Sequence, residues 1–180
     1  MSSKYKNIKL TEVLQILDGA EENNKPILFI NPTSTLETFF TYKANMSDIF
    51  KLKINLDIHP EKKQEISNEI QNSLEAGMKA GYWVVFNLGK DPKFNLVEFL
   101  KNFSFYDKNM FKPNNIKDKK YCLEHKILRE ENDVDYFGNK GYFDIKNTFK
   151  FVFLSTCKEN DIETLLKTNN EIEFDVVIAK

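Results

Sequence analysis

The apolar positions of this chain alternate between a period near four and a period near two, and each change of period marks an element. In residues 11–20, Val13, Leu14 and Leu17 fall on one side of a short helix with Thr11 as its N-cap. Pro26-Ile27-Leu28-Phe29-Ile30 reads as a short buried strand, stopped by Asn31-Pro32. Ser34 and Glu37 have capping-box spacing and open a helix that buries Leu36, Phe39 and Phe40. Residues 50–58 alternate apolar and polar without a slip, which predicts a strand with one wet face at a sheet edge. In residues 61–80, Ile66, Ile70, Leu74 and Met78 form one stripe of a helix. Pro60 suits its first position, and Gly81 suits the left-handed cap after its last. That helix delivers the run Tyr82-Trp83-Val84-Val85-Phe86, a strand covered on both faces that ends at Asn87-Leu88-Gly89. Trp83 is expected to be mostly buried, against that helix or a neighbouring strand. Residues 94–103 predict a helix with Leu96, Val97, Leu100 and Phe103 inward, and residues 149–155 a strand. A short helix around Ile162, Leu165 and Leu166 and a strand over residues 174–178 complete the pattern.

Strands alternating with helices predict an α/β fold with a parallel sheet, here a single three-layer domain over residues 1–180. Residues 104–147 break the pattern, mixing lysine, asparagine and aromatic residues without a sustained period. Within them, residues 119–129 and 134–143 are the segments that pair best as a hairpin. A stretch this long between elements is more often functional or mobile than idle packing.

Lys+Arg 26 against Asp+Glu 27 leaves a formal charge of -1, so no nucleic-acid partner is expected. Arg129 is the only arginine, and any bidentate grip on phosphate falls to it alone. Two cysteines make no disulfide framework and point to a reducing compartment. The first residues lack the apolar core of a signal peptide, and no apolar run reaches the ~20 residues that span a bilayer. The expectation is a soluble, cytoplasmic protein without a membrane partner. Cys122 and His125 have the Cys-x-x-His spacing of half a zinc site, whose other half would need the distant Cys157 or His59. An incidental pair is the favoured reading, so no metal is expected, and a Cys-His nucleophile has no oxyanion loop to serve it.

Three segments carry a resemblance. Pro26-Ile27-Leu28-Phe29-Ile30-Asn31-Pro32, Gly81-Tyr82-Trp83-Val84-Val85-Phe86-Asn87 and Phe149-Lys150-Phe151-Val152-Phe153-Leu154-Ser155-Thr156 follow one another in order. Together they are similar to the large subdomain of AAA+ ATPases, and they resemble the sixth, non-hydrolysing module of dynein heavy chains. The resemblance implies a P-loop NTPase-like sheet of five strands, ordered 5-1-4-3-2, with residues 50–58 at one edge and residues 174–178 at the other. It places a phosphate loop at Asn31, Pro32, Thr33 and Ser34, a metal-binding acid at Asn87, and a sensor at Ser155 and Thr156. None of these keeps the required chemistry. The loop has no glycine or lysine to close on phosphate, Asn87 has no charge for Mg²⁺, and Arg129 lies outside the strand ends. The chain also stops after the last strand, where AAA+ proteins continue into a helical lid.

The resemblance therefore implies a degenerate module without cofactor or catalytic residues, a protein-binding scaffold of microtubule-based, ciliary or axonemal assemblies. Candidate partner-binding residues are Tyr106, Phe111, Tyr121, Arg129, Tyr136, Phe137 and Tyr142, together with the expected edge at residues 50–58. Packing of the same aromatics onto the sheet is the competing reading. The alternative function is an atypical nucleotide-dependent hydrolase or transferase on the same fold.

Overall fold

The computed structural model describes residues 5–19 and 23–180. Met1 to Lys4 lie outside the described residues, as do Ala20, the expected end of the first helix, and Glu21 and Glu22. The elements run β1 (Lys6–Ile8), α1 (Val13–Gly19), β2 (Ile27–Ile30), α2 (Thr35–Lys43), β3 (Asn45–Asp48), α3 (Ile49–Ile58), α4 (Lys63–Ala80) and β4 (Trp83–Asn87). They continue with α5 (Leu96–Leu100), α6 (Pro113–Ile116), α7 (Lys119–Glu124), β5 (Lys150–Ser155), α8 (Ile162–Thr168) and β6 (Asp175–Ala179). The strands form one sheet in the order β1-β6-β2-β5-β4-β3, parallel throughout.

The α/β class, the parallel sheet and helices on both faces agree with the expectation, whereas the five-strand order does not. A sixth strand, β1, pairs Lys6 with Val177 and Ile8 with Ala179, so β6 is not an edge. Only Ile8 of this Lys-Asn-Ile strand is buried, which leaves no pattern to read. At the other edge, residues 50–58 are not a strand. They form most of α3, and the edge is the polar segment Asn45-Met46-Ser47-Asp48. The alternation concealed a helical stripe of Ile49, Leu52 and Leu56, which faces the core while Ile54 and Ile58 stay exposed. Asp48 decides the matter locally, because its carboxylate caps Lys51 N at 3.0 Å and holds Lys51 Nζ at 2.8 Å. One turn on, Lys53 and Asp57 pair at i,i+4 spacing.

Side chains alternate strictly across the sheet. Ile27, Phe29, Val85, Val152, Leu154 and Val177 face α1 and α2, whose Val13, Leu17, Leu36 and Phe40 cover them. Leu28, Ile30, Val84, Phe86, Phe151, Phe153, Val176 and Ile178 face the larger layer of α3 to α8. The centre of that layer is α4, with Ile66, Ile70, Leu74 and Met78 buried as the stripe predicts. It approaches β4 so closely that a Cβ at Gly77 would stand 2.2 Å from Val84 Cγ2. Gly81 ends the helix at φ 74, the left-handed cap expected of it. Trp83 takes the opposite face from α4: it is partly exposed, with its ring centroid 6.4 Å from that of Phe39 on α2.

Residues 104–147 do not form a hairpin. Asp118 caps Lys120 N and Tyr121 N, which commits residues 119–124 to α7, and a single antiparallel bridge joins Val134 to Lys140. Most of the segment packs onto the sheet. Phe105, Met110, Phe111, Ile116, Cys122, Ile127 and Leu128 are all buried in the core layer that contains α4. Phe111 stacks on Phe151 at 5.0 Å and meets Phe153 edge-on at 4.9 Å.

Candidate functional site

In an open parallel sheet, ligands bind at the carboxyl ends of two neighbouring strands whose connections leave to opposite faces. Here those strands are β2, followed by α2 on one face, and β5, followed by α8 on the other. The residues singled out from sequence do meet there. Asn31 follows β2, Ser155 ends β5, and Asn87 ends the adjacent β4.

Their side chains are occupied by other groups of the chain. Asn31 is fully buried: its Nδ2 donates to Ala179 O at 3.0 Å and to Thr33 Oγ1 at 3.1 Å, and its Oδ1 accepts from Leu36 N at 2.8 Å. Asn31 is thus the residue that satisfies the start of α2, in place of the expected Ser34–Glu37 capping box. Ser34 closes a turn onto Asn31 O at 3.1 Å, with Pro32 inside the turn, and sits at φ 60, where its side chain makes no cap. Glu37 reaches across to Asn87, accepting from its Nδ2 at 2.9 Å, and Asn87 Oδ1 accepts from Gly89 N at 3.0 Å. Ser155 Oγ donates to Gly89 O at 2.9 Å and accepts from Cys157 N at 3.2 Å, and Thr156 N also bonds Gly89 O.

The side chains of Asn31, Asn87 and Ser155, which line this crevice as a seam, are therefore all satisfied inside the chain. The charged member of the seam is the Glu37 carboxylate, whose sign is wrong for a phosphate. Pro32 has no N–H to offer, and Leu36 N is already taken by Asn31.

The partner-binding candidates divide into two groups. Phe111 is buried in the aromatic stack described above and is closed to a partner. The Tyr106 hydroxyl is enclosed, and burial pushes its pKa up to about 12. Tyr121 donates to Asp107 and lies against His125, the rings tilted by 36° with centroids 4.3 Å apart; burial and the Asp107 carboxylate raise its pKa. Arg129 is neither a finger nor a surface pair with its neighbours in sequence. Its backbone N and its guanidinium close on the buried Glu75 of α4, which also accepts from Asn132. That hydrogen bond is the main reason its pKa is raised.

Tyr136, Phe137 and Tyr142 point outward, at 96%, 85% and 69% exposure. They ride on a loop held by two aspartates. Buried Asp133 accepts from Phe143 N at 2.8 Å and pairs with Lys119 Nζ at 2.6 Å. Asp135 accepts from Phe137 N and Asn139 N, both at 2.8 Å, and from Asn139 Nδ2. Tyr136 and Phe137 meet edge-on, 5.5 Å between centroids. Sequence reading named these aromatics but not their aspartate supports, although Asp-x-Asp beside glycines is the signal of a side-chain-capped turn.

Cys122 donates its thiol to Ile116 O at 3.4 Å, and burial raises its pKa to about 12, the reverse of an activated nucleophile. Burial raises Cys157 likewise. Among the described residues no group of three or more His, Cys, Asp and Glu is placed to hold a metal ion, and no helix is long and apolar enough to cross a membrane. Compared with known protein families, curated proteins and solved structures, the chain matches none.

Proposed function

We propose that the chain is a non-catalytic interaction module that carries a degenerate AAA+-like sheet and docks protein partners through the aromatic tip at residues 133–143. The observation that carries this reading is the seam itself. Asn31, Asn87 and Ser155 stand where a nucleotide-binding sheet keeps its working groups, and each spends its hydrogen bonds on a neighbour in the chain. The tip supports the second half, because two large apolar rings held in water by a tied loop gain free energy when a partner covers them. The ordered resemblance of three strands to the last dynein module extends the proposal to a cytoplasmic scaffold of a microtubule-based, ciliary or axonemal assembly.

The test is thermal unfolding with ATP, GTP and Mg²⁺. A ligand at 100 times its Kd stabilises by ~2.7 kcal/mol. No shift is expected with either nucleotide. A saturable stabilisation removed by Asn31→Ala would overturn the reading in favour of the nucleotide-dependent hydrolase or transferase.

A further inference from the structure

We propose that Tyr136 is a phosphoacceptor for a protein tyrosine kinase, and that its phosphate switches off the aromatic tip. The switch rests on the docking role given above to residues 133–143; the modification does not.

Four tyrosines among the described residues are exposed: Tyr42 at 82%, Tyr82 at 64%, Tyr136 at 96% and Tyr142 at 69%. Their surroundings separate them. Tyr136 follows Glu130-Glu131-Asn132-Asp133-Val134-Asp135, four acids in six residues. Tyr42 stands beside Lys43, Tyr82 follows Lys79-Ala80-Gly81, and Tyr142 follows Lys140-Gly141. A kinase whose substrate groove is basic is therefore drawn to Tyr136 more strongly than to the other three. The loop can also be presented. The bonds of Asp135 are local ones, to residues 137, 138 and 139, and Gly138 and Gly141 both sit at positive φ with open space around them. Opening residues 135–139 breaks bonds made within the tip itself and leaves the Asp133–Lys119 pair in place.

In the transfer, the bond between the γ-phosphorus of ATP and its β–γ bridging oxygen breaks, and a bond from that phosphorus to Tyr136 Oη forms. ADP leaves with the electron pair, and the phenolic proton passes to the kinase's base. The product carries about −1.5 to −2 charge at neutral pH. It stands next to Asp135, near Glu130 and Glu131, while Lys140, the cation of the tip, is paired with Glu130 at 3.6 Å. Repulsion loosens the Asp135 bonds, and an apolar docking face becomes an anionic one.

The experiment treats the full chain with a purified tyrosine kinase domain that prefers acidic substrates and ATP-Mg²⁺, and reads each tyrosine by mass spectrometry of its peptide. Tyr136 is expected to be labelled at least about tenfold faster than Tyr42, Tyr82 or Tyr142, the low end of electrostatic steering. The surface variant Glu130→Lys/Glu131→Lys should remove most of that advantage. Labelling spread evenly over the four, or confined to another tyrosine, overturns the proposal, as does an unchanged rate in the charge-reversed variant. Amide exchange at Phe137 and Asn139 should quicken on phosphorylation. Exchange that stays the same defeats the switch alone, and a nucleotide result against the scaffold reading leaves the labelling result standing.

Discussion

Glu75 is the perturbation that asks most of this structure. Its side chain is 7% accessible, and its two oxygens hold Arg129 N at 2.8 Å, the Arg129 guanidinium, and Asn132 Nδ2 at 2.6 Å. That carboxylate is the charged part of the fastening between α4 and the segment leading to the tip, beside the Gln71 Nε2 bond to Lys126 O at 2.7 Å and the Arg129 bond to Asn72. Removing one member of a buried pair costs about 3–5 kcal/mol, because the other is left charged and unpaired. Arg129 keeps 23% of its side chain accessible, so part of its charge is rehydrated and the low end applies, about 3 kcal/mol for Glu75→Ala. In a chain of this length that lowers Tm by about 6–12 °C. Thermal and urea unfolding measure it, and amide exchange should show Arg129 N losing protection. The double variant Glu75→Leu/Arg129→Met, which removes both charges, should be at least about 1 kcal/mol more stable than Glu75→Ala. A Glu75→Ala protein within about 0.5 kcal/mol of the parent, the range of ordinary surface changes, would refute the claim that this pair anchors the insertion.

Gly77→Ala places a methyl 2.2 Å from Val84 Cγ2, so overpacking of about 1–3 kcal/mol should outweigh the roughly 1 kcal/mol gain in helix propensity, with partial recovery by Val84→Ala in urea melts. Ser34→Gly relieves a left-handed backbone worth about 1–2 kcal/mol and gives back about 0.4–1 kcal/mol in the unfolded chain, so a small rise in urea midpoint is expected. Burial pushes the Asp133 carboxyl up, but the Lys119 hydrogen bond and charge and the amides of Phe143 and Gly141 together outweigh it and hold its pKa below the ordinary value. The stability this contributes is present above about pH 4 and lost as pH falls through the lowered folded value, so Asp133→Asn should flatten the acid limb of a urea-midpoint profile.

The layers of the fold were legible because they rest on long apolar repeats. The α4 stripe and the runs of β2, β4, β5 and β6 can be buried in only one way. The edges were not legible. Lys6-Asn7-Ile8 and Asn45-Met46-Ser47-Asp48 are strands because a neighbouring strand offers hydrogen bonds, and their side chains carry no period. Residues 50–58 misled because their odd–even alternation contains a helical stripe, and the deciding group, the Asp48 cap, lies outside the window. The sequence pattern puts Asn31, Asn87 and Ser155 at strand ends, but it does not pair Asn31 with Ala179, Asn87 with Glu37 or Ser155 with Gly89, which are distant in sequence. Phe111 and Tyr136 look alike in composition, and only the packing against Phe151 separates the core ring from the exposed one.

The central claim is that the carboxyl end of the sheet is closed to nucleotide. The amide spectrum of the ¹⁵N-labelled protein, titrated with ATP-Mg²⁺ to physiological concentration, addresses it residue by residue. The account predicts that the signals of Thr33, Ser34, Leu36, Asn87, Gly89, Ser155 and Thr156 stay in place. Saturable shifts gathered at those residues would contradict it.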